Sequence, residues 1–532
     1  MLSTFHGLVN TCDVSSILHL GTWWIAATSD LVAWMELKHV AVALHSITLQ
    51  GSFSLHDAIQ HFFVATAARA GSSLYEEAHA GPSIIRRSQC LANPPAIEPF
   101  KIAEQTPPSF IYHDLTDVVS HAIWHDSCAG IPRVQLEITN SLIKSRVDLR
   151  PIAFYHQKWC DLRPLIEAAD GDVDAIFRLI KEAFADFKWT PRGLVGFLKR
   201  RRKFRAIERS SRMPELKAHD TLFIGGAFWV EREIIDFCRR AADRRANLIV
   251  LFHDLIPLTV PYFTGHDFRA EFLEMLRLQA HFVVTTPYNG HELESVRRGY
   301  LTAETVTNFS IVPLADEFPG AIRNARPLTT SDRLASLIGQ DFALCVGTIE
   351  VRKNHLTLLA IWEQLAVELG DCLPRLVVAG RRGWKADAAL EKLDQANSSS
   401  NLIKFVEAPT DSELRWLYSS CRFTVFPSYF EGWGLPVGES FWFGKPCAAS
   451  NASSIPAVGR DLCSYFSPFD PGEMKEAIRA LLNPETRRIY QAKIESTPLR
   501  AWKDVASELK TIIMERRFSP SDATPSLASR QD

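Results

Sequence analysis

The chain has 532 residues, 46% of them hydrophobic, and a formal net charge of -2. That length exceeds one ordinary domain and predicts two or three. The near-neutral charge argues against a protein that binds nucleic acid over its whole surface. Ten cysteines without a C-x-x-C pair indicate neither a zinc site nor a disulfide framework, and they fit reduced thiols in the cytoplasm. No stretch reaches the roughly 18–20 uninterrupted apolar residues of a membrane span. The apolar segment Ile17–Ala27 is short and lacks a basic leader, so it makes a poor signal peptide. A soluble or peripheral protein is expected.

In chain order, residues 1–104 show no α/β rhythm and read as an N-terminal extension of unknown role. Residues 105–325 form a first alternating block. Its expected strands are Phe110–His113, Pro151–Tyr155, Thr221–Ile224, Asn247–Phe252, His281–Thr285 and Ser310–Pro313. Its expected helices lie near Arg133–Ile143, Glu231–Ala242, Phe268–Gln279 and Tyr288–Arg297. Residues 156–218 interrupt this block as an insertion. They carry the basic run Lys199–Arg205, preceded by Phe184, Phe187, Trp189, Leu194, Val195, Phe197 and Leu198. Such a run either lies on an anionic bilayer or is a solvated loop beside a core helix.

The polar stretch Gly320–Asp332 is the natural linker to a second block, 326–490. Its apolar runs are Phe342–Val346, Leu376–Ala379, Leu402–Phe405, Phe423–Phe426 and Pro446–Ala449. Between them, Leu359, Trp362, Ala366 and Leu369 mark one face of a helix that stops at Gly370. Thr410-Asp-Ser-Glu413 is a capping box opening another. Buried strands separated by helices imply parallel, doubly wound sheets. Residues 491–518 contain a last helix, near Trp502–Glu515. The tail 519–532 is rich in Ser, Pro and charge, and disorder is expected there.

Chemistry concentrates in Phe426-Pro-Ser-Tyr-Phe-Glu-Gly-Trp-Gly-Leu-Pro-Val-Gly-Glu439. A strand runs into this turn and a short helix leaves it, with Pro436 expected at the first helical position and Gly444 past the end. Glycines let backbone N–H groups approach a ligand, and the helix start favours anions. Glu431 before the helix and Glu439 in its first turn are expected to face one pocket. Amides for phosphate and carboxylates for hydroxyls suit a phosphorylated sugar.

These residues, together with Val346-Gly-Thr-Ile-Glu-Val-Arg-Lys-Asn354, Val378-Ala-Gly-Arg-Arg-Gly-Trp384 and Asn451-Ala-Ser-Ser-Ile-Pro456, resemble family 4 glycosyltransferases. The likeness is specific across about 340–485. It is weaker across 108–318, in Gly130-Ile-Pro-Arg-Val134, Phe252-His-Asp-Leu-Ile-Pro257 and Val312-Pro-Leu-Ala-Asp316, and it does not cover 1–104 or 156–218. The nearest set is mannosyltransferase-like and assembles bacterial surface polysaccharides. The resemblance implies the GT-B architecture, two doubly wound Rossmann-like domains facing across a cleft, with the last helix returning to the first domain. It also implies retention of anomeric configuration and no metal.

Sugar transfer from a nucleotide diphosphate leaves negative charge on the departing group, which the enzyme must stabilise. The resemblance puts the basic diphosphate contacts at Arg352 and Lys353, favouring Lys353. Many relatives carry Arg where this chain has Thr348, and Arg352 is expected to compensate. Glu439 is expected on the ribose, and Glu431 near the transferred sugar, with Gly432, Trp433, Gly434 and Leu435 around it. Gly380 and Arg381 complete the donor side, with Arg381 near phosphate. His253 is expected at the reacting centre, with Asp254 as an acceptor-side base and Gly130 and Arg133 in a loop under the cleft.

Plainer readings stand beside these. Arg352 and Lys353 can be solvated charges, and Glu439 a helix-dipole partner. His253 and Asp254 can simply cap a turn before Pro257. The expected activity is hexosyl transfer from a nucleotide sugar, GDP-mannose by guess, to a glycan or lipid-linked acceptor, in the cytoplasm or at the inner membrane face. No cofactor, metal or nucleic acid is expected. A silent nucleotide-sugar-binding protein of the same fold is the alternative.

Overall fold

A computed structural model describes residues 110–184, 215–300, 309–325, 331–399 and 402–518. The N-terminal extension, the basic run 199–205 and the tail 519–532 lie outside the described residues, and so do the expectations placed on them.

The first sheet contains β1 (Ile111–Asp114), β2 (Leu149–Tyr155), β3 (Lys158–Asp161), β4 (Thr221–Ile224), β5 (Asn247–Phe252), β6 (His281–Val284) and β7 (Phe309–Ile311). Their spatial order is β3-β2-β1-β4-β5-β6-β7. All neighbours pair parallel except β2 and β3. The second sheet contains β8 (Phe342–Val346), β9 (Arg375–Gly380), β10 (Ile403–Glu407), β11 (Thr424–Phe426), β12 (Cys447–Ser450) and β13 (Cys463–Phe466). Its order is β10-β9-β8-β11-β12-β13, all parallel. Counted from its own first strand this is 3-2-1-4-5-6, the doubly wound nucleotide-binding order. Strands such as Phe342-Ala-Leu-Cys-Val346 are apolar throughout because helices cover both faces of the sheet.

Residues 156–184, expected as part of an insertion that interrupts the first block, build onto its sheet. β3 extends the first sheet by an antiparallel hairpin, and the helices Arg163–Ala168 and Val173–Phe184 pack beside it. The last helix, Trp502–Phe518, lies on the helix Ile131–Lys144. Val505, Leu509 and Ile513 share a core with Val134, Ile138 and Leu142, and Lys510 Nζ donates to the Ser145 carbonyl at 2.9 Å.

In each sheet the winding direction reverses between the first and fourth strands. Ligands of open α/β sheets bind outside the carboxyl ends at that reversal. In the second domain the loops there are Gly347–Asn354, after β8, and Pro427–Gly434, after β11.

Candidate active site

The loop after β8 makes a single 3-10 turn, Val351–Lys353. Asn354 then takes a left-handed φ of 56° and opens the helix His355–Leu369. The loop after β11 ends at Gly434, whose φ of 110° starts the helix Leu435–Trp442. Pro436 is therefore the second helical residue, not the first, and Glu439 lies one residue further in than expected, just past the first turn. At Gly432 a side chain is excluded by close approach, because a Cβ would stand 2.1 Å from the His253 carbonyl oxygen. The Gly432 carbonyl accepts from Thr285 Oγ1 at 2.8 Å and from Asn289 Nδ2 at 2.7 Å. The turn is thus pressed against the first domain.

Glu431 is buried and fully engaged. Its Oε1 accepts from Lys353 Nζ at 2.5 Å, its Oε2 pairs with Arg352 Nη1 at 2.6 Å, and its N–H donates to Ser453 Oγ at 2.9 Å. Burial raises the carboxyl pKa, but Arg352 and Lys353 outweigh it and hold the group at about 2. Arg352 also pairs with buried Glu350 at 2.5 Å and donates to the Phe430 carbonyl at 2.6 Å. Arg352 is therefore the scaffold that orients Glu431, not a free fork standing in for the Arg that Thr348 replaces. Lys353 has fewer partners than Arg352: besides Glu431, its Nζ lies 5.0 Å from the centroid of the Phe426 ring.

Glu431 accordingly stabilises the fold only while it is ionised. Its folded pKa, about 2, lies below the ordinary 4.5. The contribution is complete above pH 4.5 and falls away as the pH drops toward 2. The gap is worth about 3 kcal/mol. In urea unfolding at pH 5 and pH 3, Glu431→Gln is expected to lag the wild type clearly at pH 5 and much less at pH 3. A pH-independent gap would contradict the ion cluster.

Glu439 does not share this cluster. Its Oε1 accepts from Arg133 Nη1 at 3.2 Å and its Oε2 from the Tyr418 hydroxyl at 2.8 Å. Arg133 also forms a close ion pair with Asp411. Arg133 is therefore not simply acceptor-side. It reaches from the first domain into two carboxylates of the second. Gly130, φ 61°, precedes its helix. Burial pushes Glu439 above the usual carboxylate range, and Arg133 and Tyr418 offset part of that.

Arg381 likewise faces the first domain and not a bare phosphate site. Its guanidinium donates to His121 Nε2 at 3.1 Å and to Ser127 Oγ at 2.7 Å. Gly380 ends β9, its carbonyl taken by the Ala408 N–H. Trp433 is buried, and Leu435 opens the helix after the turn.

His253 leaves the end of β5. Its Nε2 lies 2.8 Å from the Gly225 carbonyl, which can only accept, so Nε2 carries the proton and Nδ1 is the acceptor nitrogen. Burial lowers its pKa to about 4, which keeps the ring neutral near pH 7. Asp254 Oδ1 accepts from the Ile256 N–H at 3.0 Å, closing the turn that leads into the short helix Ile256–Thr259. Burial is the larger influence on its carboxyl and raises it to about 6 despite Arg352 nearby.

Several partners carried no sequence signal. Glu350 and Ser453 hold the Glu431 cluster, Asp411 and Tyr418 hold the Glu439 cluster, and Asn289 bridges the domains. Asp411 was visible only as a residue of the Thr410–Glu413 capping box, which is present. Among the described residues no group of His, Cys, Asp and Glu is arranged to hold a metal ion, and no helix is long and apolar enough to cross a membrane.

Residues 340–484, which include both ion-cluster loops, match the family model described as glycosyl transferases group 1. The chain is a glycosyltransferase that carries a group 1 domain. This glycosyltransferase is 27% identical over 268 residues to the O-antigen chain mannosyltransferase B of Escherichia coli, a match covering 49% of this chain and 69% of that one. It is 26% identical over 251 residues to the serotype-specific mannosyltransferase WbdA of the same organism, covering 45% of this chain and 30% of that one. The chain thus spans under a third of that second relative. Sucrose-phosphate synthase from Thermosynechococcus elongatus superimposes with a TM-score of 0.51 at 15% identity, covering 77% of this chain and 99% of the other. The likeness identifies the fold as GT-B.

Proposed function

We propose that the chain transfers a mannosyl group from a nucleotide-diphosphate sugar, GDP-mannose, to a glycan or lipid-linked acceptor during surface-polysaccharide assembly. The observation that carries this reading is the Lys353–Glu431–Arg352 cluster at the winding reversal of the second sheet. The names of the two E. coli relatives supply the sugar.

In this reading Lys353 and the first amides of the helix His355–Leu369 face the diphosphate and take up charge as it leaves. Glu431, ionised and fixed by Arg352, accepts hydrogen bonds from hydroxyls of the transferred sugar. Neutral His253 offers Nδ1 as an acceptor to a substrate hydroxyl. Anomeric retention and independence of metal and cofactor belong to the same proposal.

The test compares GDP-, UDP- and ADP-sugars by melting temperature and by nucleotide release, with and without EDTA. GDP-mannose is expected to give the largest upward shift and to release GDP equally in EDTA, and Glu431→Ala is expected to release none. Equal release by Glu431→Ala would remove the catalytic assignment. A shift without release by the wild type would favour a silent binding protein.

A further inference from the structure

Outside the ion clusters, two segments meet at one buried side chain. The first is the start of the helix Pro287–Tyr300, in the first domain. The second is the Asn451–Pro456 loop after β12, in the second domain. The side chain is Asn289, 1% exposed.

Asn289 Nδ2 donates to the Gly432 carbonyl at 2.7 Å, to Thr285 Oγ1 at 2.8 Å and to the His253 carbonyl at 3.2 Å. Carbonyls only accept, so the amide is fixed with its nitrogen toward them. Its Oδ1 then accepts from Ser454 Oγ at 2.7 Å. The hydroxyl directions follow from these. Thr285 Oγ1 donates to the Gly432 carbonyl at 2.8 Å. Thr286 Oγ1 accepts from the Asn289 N–H at 3.1 Å and donates to Ser454 Oγ at 2.9 Å. The network has one proton arrangement, and a buried network satisfied in this way is rigid.

This network brackets Glu431. On one side it holds the carbonyl of Gly432, the next residue. On the other it holds Ser454, the neighbour of Ser453, whose Oγ accepts the Glu431 N–H at 2.9 Å. Ser453 takes a left-handed φ of 52°, and the two adjacent serines serve different partners. The same NH2 group also holds His253 by its carbonyl. The His253 and Gly432 carbonyls come from different domains, and neither can donate to the other. A donor shared between them satisfies both where the two chains touch.

We propose that Asn289 is a positioning residue of the transfer reaction: its carboxamide fixes His253 of the first domain against Glu431 of the second without touching substrate. This rests on the transferase reading above, in which both residues meet substrate hydroxyls.

GDP release from GDP-mannose, GDP affinity and amide hydrogen exchange are measured on the full chain. Asn289→Ala is expected to lower kcat about 10²-fold, the loss that a misplacement of about 1 Å can cause. GDP affinity should stay close to that of the wild type, because Lys353 and the helix His355–Leu369 are untouched. Ser454→Ala, which deletes one hydroxyl of the network, should show the same split with a smaller loss, and it decides the matter if Asn289→Ala does not fold. In a His253→Ala background either substitution should cost much less than it costs alone, since the residue being positioned is gone. Equal costs with and without His253, or a loss of GDP affinity as large as the loss of kcat, would make Asn289 merely structural and overturn the proposal. Exchange across 427–434 should be faster in both variants and that of β8 unchanged. Unaltered exchange across 427–434 also overturns it. No GDP release by the wild type sinks the transferase reading, and the exchange result then decides by itself whether Asn289 sets the register.

Discussion

Lys353→Ala is expected to lower kcat by about 10²–10³-fold, the usual loss when one preorganised stabiliser of a developing anion is removed. The structure singles out Lys353 from its neighbour. Arg352 spends its guanidinium on Glu350, Glu431 and the Phe430 carbonyl. Lys353 is held by Glu431 Oε1 and the Phe426 ring alone among the described contacts. Its single charge on a flexible stem can turn from the carboxylate to an arriving diphosphate, whereas Arg352 cannot leave without stranding two buried acids. The two cations should therefore fail differently. Lys353→Ala should lose kcat with a smaller loss of stability, since Glu431 keeps Arg352. Arg352→Ala should lose more stability, because it strands Glu350 and half of the Glu431 cluster, and breaking a buried ion pair costs about 3–5 kcal/mol. Steady-state release of GDP from GDP-mannose, paired with urea unfolding of each variant, separates the two. Wild-type kcat in Lys353→Ala would remove this residue from the chemistry.

The same contrast explains what the sequence discloses. Lys353 and Glu431 sit on two loops at one winding reversal, and each loop has its own compact motif. The fold itself brings them together, so their partnership follows once two apolar strands are recognised. The Glu439 cluster is different. Its contacts to Arg133 and from Arg133 to Asp411 join residues 306 and 278 positions apart. No local pattern encodes such a pairing. It depends on how one domain meets the other, which periodicity does not report. Strands divide along a similar line. Interior strands such as Asn247–Phe252 are continuous apolar runs because both faces are covered. β3, Lys-Trp-Cys-Asp, and β13, Cys-Ser-Tyr-Phe, are edge strands. They are short and mixed in polarity, so they resemble loops and went unrecognised. The helix Val173–Phe184, with Ile176, Phe177, Ile180 and Phe184 buried, falls in 156–218, which reads as an interruption of the first block because no strand-and-helix alternation continues through it.

Arg133→Ala is expected to destabilise the folded chain by about 3–5 kcal/mol, although Arg133, expected in a loop, sits in the first turn of the helix Ile131–Lys144 and not among apolar core residues. Its side chain is 7% exposed, against 6% for Glu439 and 12% for Asp411. Removing the cation leaves two nearly buried carboxylates of the second domain without the charge that reaches them from the first, with the Tyr418 hydroxyl still donating to Glu439. The sign with pH follows. Burial already raises both carboxyls above the ordinary range. Without Arg133 they rise further, so the folded state holds protons that the unfolded state has released. Stability of the variant must then fall as pH rises from 5 to 8, more steeply than in the wild type. Adding Asp411→Asn should recover part of the loss, since it removes one of the two stranded charges. Urea midpoints of the wild type, the single variant and the double variant at pH 5 and pH 8 test this. A loss in Arg133→Ala that does not depend on pH, or one that Asp411→Asn deepens, would mean that Arg133 acts through packing against Phe318, whose ring its guanidinium covers at 5.1 Å, and not as the charge that ties the two domains together.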